Sequence, residues 1–223
     1  MVTWFGTTLR KKTYWVWITI SRSCSNLTNY CFYLPFGGFH QFYLTCSEFG
    51  SIQPDDRVLD LCCGNGELTA KLADLPSLTD VMGIDIDDDD LKKAALYLKN
   101  LPVVFVKADV SRLPLSSGIF TKCFISMGLH HLNAESRWRT LQEINRVLTP
   151  DGMLFIIDYN LPQSYIPRFV ALTLVKTDRS PEAYEMVTND SLVAETGDAG
   201  FTLARKREIG GGMIQLLELK KNT

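Results

Sequence analysis

The sequence lacks long apolar runs. No run reaches the roughly 18 residues that a membrane-spanning helix needs, and the apolar stretch at residues 14–20 is much shorter. Arg10, Lys11 and Lys12 precede that stretch, but no small-x-small cleavage site follows it, so we expect no signal peptide. The expected location is the cytoplasm, with peripheral contact at a membrane as an open alternative.

Patterns for metal binding, disulfides and nucleic acid are also missing. The six cysteines form no C-x-x-C pair and have no histidine at zinc spacing. The adjacent Cys62 and Cys63 would point to opposite faces of a strand. We therefore expect reduced thiols and no metal. The net charge of −2 provides no general field that would attract nucleic acid.

Residues 1–50 differ in composition from the rest of the chain. They hold three of the four tryptophans and contain no acid before Glu48. Their bases are Arg10, Lys11, Lys12 and Arg22. We predict an aromatic-rich cap or lid over residues 1–50 and one main domain over residues 51–223. The cap would line an apolar pocket or, alternatively, touch an anionic membrane surface.

From residue 57 onward, short apolar segments alternate with amphipathic ones. Predicted strands cover residues 58–62, 81–86, 103–107, 120–126, 153–159, 201–209 and 213–219. Predicted helices cover residues 67–75, 88–100, 134–148 and 190–199, with an inserted helical segment within 160–186 and a turn at 149–152. This alternation predicts an α/β fold with a mostly parallel sheet, helices on both faces and a C-terminal hairpin.

A glycine turn follows the first strand, in VLDLCCGNGELT at residues 58–69. Gly64 and Gly66 permit a tight turn and a close approach of the backbone to a ligand. Asp85 ends the second strand, where a carboxylate accepts hydrogen bonds from vicinal ribose hydroxyls. A simple packing turn is the alternative for the glycines. The acids at 87–90 indicate a helix start, with a metal site as their alternative.

Two further strand ends carry candidate site residues. Asp109 follows the third strand, where it would accept a hydrogen bond from an adenine amino group while the Val110 amide pairs with a ring nitrogen. A turn-capping role is the alternative for Asp109. Ser126 and Met127 end the fourth strand and would close the cofactor site.

Together these segments resemble class I S-adenosylmethionine-dependent methyltransferases over residues 55–160 and the C-terminal hairpin. They are similar in particular to the ubiquinone/menaquinone biosynthesis C-methyltransferases. The similar stretches are LDLCCGNGELTAK at 59–71, ISMGLH at 125–130, NRVLTPDG at 145–152, AGF at 199–201 with residues 211–217, and FGGFH at 36–40. The resemblance implies a Rossmann-like fold with a seven-stranded sheet and S-adenosylmethionine as cofactor.

The resemblance also implies which residues would hold the cofactor. They are Asp60, Cys62, Gly64, Gly66, Thr69, Asp85, Ile86, Asp109, Val110, Ser126 and Met127. The chain departs from the family in having His130 and His131 where the family usually has Arg and Asn. The segment after residue 160 is also shorter.

The histidines at the rim of the site are the candidate catalytic residues. A methyl group on a sulfonium is already activated, so the enzyme must orient the acceptor and exclude water. Methylation at a hydroquinone carbon also needs a base for the phenol proton, and histidine titrates near neutral pH. His130 is the first choice and His131 the second. Tyr30, Tyr33 and Tyr159 would position the acceptor or flank the sulfonium, with packed aromatics as the alternative.

Several functions stay open at this point. The expected partner is a small aromatic or apolar methyl acceptor and not nucleic acid, with a homodimer as an open possibility. O- or N-methylation of another metabolite is the nearest alternative to C-methylation. An NAD-dependent dehydrogenase is disfavoured because the turn lacks G-x-G-x-x-G, with Thr69 near the third-glycine region. A non-catalytic module that keeps only the fold is the remaining alternative.

Overall fold

The computed structural model describes residue 33 and residues 36–74, 80–177 and 180–222. The strands are β1 (Arg57–Leu61), β2 (Asp80–Asp85), β3 (Val103–Lys107), β4 (Phe120–Ser126), β5 (Leu148–Tyr159), β6 (Phe201–Ile209) and β7 (Ile214–Lys221). The helices are α1 (Phe39–Phe49), α2 (Glu67–Ala73), α3 (Asp88–Tyr97), α4 (Ala134–Val147), α5 (Tyr165–Thr177), α6 (Pro181–Asn189) and α7 (Leu192–Asp198). Leu129–His131 forms a single 3₁₀ turn.

The strands form one seven-stranded sheet in the order β3-β2-β1-β4-β5-β7-β6. Strands β1 to β5 are parallel, and β7 runs antiparallel to both β5 and β6. This confirms the predicted Rossmann-like α/β fold with a C-terminal hairpin. Strand order reverses between β1 and β4, and ligands of open α/β sheets bind at the carboxyl ends of the strands beside such a point.

Several predicted boundaries are wrong. The predicted turn at 149–152 belongs to β5, which begins at Leu148. The pairing with β4 shifts there, from Phe120 opposite Leu148 to Lys122 opposite Met153, so the additional β5 residues bulge out of register. Pro150 has no amide hydrogen to donate, which suits a bulge better than a regular ladder.

Four helices also differ from prediction at their ends. Helix α2 ends at Ala73 and not at residue 75, and α4 ends at Val147 and not at residue 148. Helix α3 ends at Tyr97 and not at residue 100, because Leu98 leaves the helical region at φ −102 and ψ 16. Helix α7 begins at Leu192, two residues after the predicted start. The predicted inserted helical segment is confirmed and consists of α5 and α6, although α6 continues to Asn189, past the predicted end at residue 186.

The described part of the predicted cap packs on the same core as the sheet. Phe42, Cys46 and Phe49 of α1 are buried in the cluster that contains the strand side chains. Lys122 on β4 joins the two parts, since its Nζ donates to the carbonyls of Gly50 and Ser51 at 2.9 and 2.7 Å. The domain boundary at residue 50 stays a prediction, and residues 1–32 lie outside the described residues.

Within the described ranges, no helix is both long enough and apolar enough to cross a bilayer.

Candidate active site

The glycine turn leaves open space beside the end of β1. Gly64 and Gly66 have φ values of +51 and +83, a region that side chains other than glycine rarely adopt. A Cβ placed on Gly64 would meet no atom of the described residues within 4 Å, whereas one on Gly66 would lie 3.0 Å from the Ala94 Cβ. Gly66 is therefore explained by packing against α3, and Gly64 faces room for a ligand.

The carboxylate of Asp85 lies against this turn. Its Oδ2 accepts from the Gly64 amide at 2.8 Å, and its Oδ1 accepts from the Asp87 amide at 2.9 Å. Each carboxylate oxygen has a second lone pair for ligand hydroxyls. Next to it the side chain of Ile86 is 66% exposed, which offers an apolar surface for a flat ring. The Asp87 side chain caps α3, which confirms that the acidic run is a helix start.

Asp60 on β1 and Thr69 on α2 flank the glycine turn and hydrogen-bond to each other. The Thr69 hydroxyl donates to Asp60 Oδ2 at 2.6 Å, and both residues are buried. Burial raises the pKa of Asp60 to about 7, and the neighbouring Asp85 charge adds to the rise. Burial likewise raises the pKa of the Cys62 thiol. Contacts of Asp60, Cys62 and Thr69 with a cofactor stay predictions.

The end of β3 lies next to Asp85. The Ala108 amide donates to the Asp85 carbonyl at 2.9 Å, which holds Asp109 and Val110 close to the glycine turn. Asp109 is exposed, and its Oδ1 accepts from both the amide and the hydroxyl of Ser111 at 2.8 Å. This is the turn-capping geometry that the sequence left as an alternative. Val110 is buried in the core. The predicted adenine contacts of both residues remain untested.

Ser126 lies at the end of β4. Its Oγ is buried and has no hydrogen-bond partner among the described residues. Such a group typically costs about 1–3 kcal/mol, so it marks a place where a ligand would supply the partner. Met127 and Cys62 both have positive φ, at +52 and +54. Strain of this kind concentrates at functional sites.

His130 is held by a carboxylate that the sequence analysis missed. Its Nδ1 lies 2.7 Å from Asp158 Oδ1, and the two side chains are 2% and 1% exposed. Asp158 Oδ2 also accepts from the amides of Leu129 and His130, at 3.1 and 3.3 Å. Asp158 could have been proposed from the sequence, because it is an acid at the end of the apolar β5 strand and site residues are frequent at the ends of parallel strands.

The other candidates have different surroundings. His131 is exposed, with its ring centroid 4.0 Å from that of His130. The Tyr159 ring is buried 4.7 Å from the His130 ring, so it lies at the site. Tyr33 packs in the aromatic cluster of α1, and its hydroxyl lies 3.3 Å from that of Tyr43. Tyr30 lies outside the described residues. Acceptor contacts by these tyrosines stay predictions.

Comparison with known proteins decides the class of the enzyme. Residues 58–152 match a family model described as a methyltransferase domain. A relative named "Uncharacterized methyltransferase sll0829" from Synechocystis is 29% identical over 212 residues, which cover 93% of this chain and 92% of the relative. The chain is a class I S-adenosylmethionine-dependent methyltransferase. Its cofactor is S-adenosylmethionine, and the dehydrogenase and non-catalytic alternatives are set aside.

Two further comparisons concern the acceptor and the fold. The methyltransferase is 32% identical over 160 residues to the ubiquinone/menaquinone biosynthesis C-methyltransferase UbiE of Shewanella baltica (strain OS155), a match that covers 69% of this chain and 62% of UbiE. Its fold is similar to a SAM-dependent methyltransferase from Aquifex aeolicus, with a TM-score of 0.63, 21% identity and coverage of 89% and 94% of the two chains.

Proposed function

We propose that this methyltransferase transfers a methyl group to a ring carbon of a small quinol-like aromatic acceptor, with His130 as the general base. The buried pair of His130 and Asp158 is the observation that carries the proposal. The similarity to UbiE supports a quinol-like acceptor, although the match spans 62% of that enzyme's length.

The residues at the ends of β1, β2 and β4 fit the cofactor. Among the described residues, the space at Gly64, the Asp85 carboxylate, the exposed face of Ile86 and the Ser126 hydroxyl, which has no partner there, suit its amino-acid, ribose, adenine and polar groups. When bound, S-adenosylmethionine supplies a methyl group on a positively charged sulfur. The chain's own tasks are then to orient the acceptor, exclude water and accept a proton.

His130 is suited to accept that proton. When Nδ1–H donates to Asp158, the neutral imidazole has its basic lone pair on Nε2. In the proposed reaction Nε2 takes the proton of an acceptor phenol, and the resulting negative charge makes the ring carbon nucleophilic. Asp158 holds the tautomer and stabilises the imidazolium that forms. The ring carbon that has gained the methyl group then loses its proton to water, which restores the aromatic ring, and the imidazolium returns its proton to the phenolate oxygen.

Product analysis tests the type of methylation. We would incubate the enzyme with ¹³C-methyl-labelled cofactor and a hydroquinone that has a free ring position, beside the same compound with both phenols methylated. A ring-bound ¹³C-methyl signal in the NMR spectrum is expected from the free hydroquinone only. A methoxy signal would show that the enzyme methylates oxygen and not carbon. Methyl transfer to the compound whose two phenols are methylated would show that no phenol proton is involved.

Variants test the base. His130→Gln should lower kcat by about a hundredfold or more, because general-base catalysis is lost. Cofactor affinity should not change, which also shows that the variant folds. Asp158→Asn should lower kcat and shift its pH profile, whereas His40→Gln, at the exposed histidine of α1, serves as the control. Wild-type turnover by His130→Gln would remove His130 from the mechanism.

A further inference from the structure

Helix α5 exposes apolar side chains that the described residues do not cover. Tyr165, Ile166 and Phe169 are 83%, 74% and 66% exposed, and Val170 is 40% exposed. At helical spacing these four residues share one face. Ala171, on the other side of the helix, is buried against the domain. The exposed face of α5 therefore forms a contiguous apolar surface, and surfaces of this kind mark interaction sites.

The charged side chains of α5 are all basic. Its sequence, YIPRFVALTLVKT, contains no acid, and its bases Arg168 and Lys176 are both exposed. The next helix, α6, carries Glu182 and Glu185, so the basic character is confined to α5. Aromatic and aliphatic side chains flanked by bases are typical of helices that lie in the interface of an anionic membrane.

We propose that the exposed face of α5 docks on an anionic lipid bilayer. Tyr165, Ile166, Phe169 and Val170 enter the headgroup region, and Arg168 and Lys176 contact the anionic headgroups. Charge argues against two other occupants. The N-terminal residues 1–47 contain bases but no acid, and the same face of a second copy also presents only bases. Neither supplies the negative charge that a lipid surface provides.

Both ends of α5 are close to residues of the acceptor site. The helix begins six residues after Tyr159, which packs on His130. Beyond its other end, the Ser180 hydroxyl donates to the His130 carbonyl at 3.0 Å. Docking through α5 would thus bring the acceptor site to the bilayer surface, where an apolar acceptor concentrates. The capture of an apolar acceptor at the bilayer rests on the proposed function, whereas docking of α5 does not.

Vesicle sedimentation with the full chain tests the proposal. The wild type should sediment with phosphatidylcholine vesicles that contain phosphatidylglycerol, and less with phosphatidylcholine alone or at high salt. Ile166→Ser combined with Phe169→Ser should lower the partition coefficient at least about tenfold. Arg168→Gln combined with Lys176→Gln should lower it about tenfold on the anionic vesicles only.

A matched control removes equally exposed apolar groups elsewhere. Leu96 and Tyr97 on α3 are 72% and 58% exposed, and Leu96→Ser with Tyr97→Ser should bind vesicles like the wild type. Failure of the wild type to bind anionic vesicles, or equal binding by the Ile166 and Phe169 double variant, would overturn the proposal. So would a dimer in sedimentation velocity that this double variant converts to a monomer while vesicle binding is absent.

Methyl transfer to a water-soluble hydroquinone, measured without vesicles, separates this proposal from the proposed function. Transfer without vesicle binding would overturn docking alone. Vesicle binding through α5 without transfer to any phenol would support docking and overturn the proposed acceptor.

Discussion

Asp60 is a buried carboxylate whose ionisation opposes folding. It is 1% exposed and accepts one side-chain hydrogen bond, from Thr69 at 2.6 Å. Burial, aided by the Asp85 charge, raises its pKa from 3.8 to about 7. Each pH unit of difference between the folded and unfolded pKa corresponds to about 1.4 kcal/mol. Full ionisation of Asp60 in the folded state therefore costs on the order of 4 kcal/mol.

The sign of the pH dependence follows from the raised pKa. Below the unfolded pKa, Asp60 is protonated in both states and costs nothing. As pH rises from 3.8 to about 7 the unfolded state ionises first, so the free energy of unfolding falls across this window. Above about 7 both states are ionised and the cost is constant. Asp60→Asn has no proton to lose and keeps an oxygen that accepts from Thr69.

The assay is urea unfolding of the wild type and Asp60→Asn at several pH values. Relative to the wild type, the variant should gain about 2–4 kcal/mol between about pH 4 and pH 8. Asp55→Asn, which changes an exposed carboxylate, should follow the wild-type profile. A constant difference between Asp60→Asn and the wild type at all pH values would refute the reasoning, because the cost would not come from ionisation.

Three other substitutions test the site. Ser126→Ala should stabilise the cofactor-free protein by about 1 kcal/mol, because it deletes a buried hydroxyl that has no partner among the residues the structure describes. It should also weaken cofactor binding in calorimetry, and a stability loss would contradict this. Asp85→Ala should weaken S-adenosylmethionine binding by about 1.5–3 kcal/mol, and an unchanged Kd would exclude its predicted role. Gly128→Ala should lower the free energy of unfolding by about 1–3 kcal/mol, because its Cβ would lie 2.6 Å from the Cys62 Cβ. Equal urea midpoints for this variant and the wild type would show that the ends of β1 and β4 can move apart at no cost.

Most of the fold was predictable because its signals are local. The bounds predicted for β3, β4 and β6 agree with the structure, since each is an apolar or alternating run between turn residues. The start of β5 was not predictable from Pro150 and Gly152, which favour a turn locally. Leu148 pairs with Phe120 of β4 ahead of a shift in register, so residues 148–152 extend the strand, and such pairing is not encoded at short range.

The sequence by itself determined the glycine turn, the succession of strands and helices along the chain and the acid at the end of β2, because each depends on neighbours within a few residues. The comparison of those same segments gave the class of enzyme. Only the tertiary structure decided that His130 meets Asp158, 28 positions away, since the register of two parallel strands sets which side chains meet at their ends. It alone also showed that the Ser126 hydroxyl has no partner within the described part of the chain and that α5 exposes an apolar face there. Burial depends on which parts of the chain pack against a residue, so it does not follow from the type of that residue.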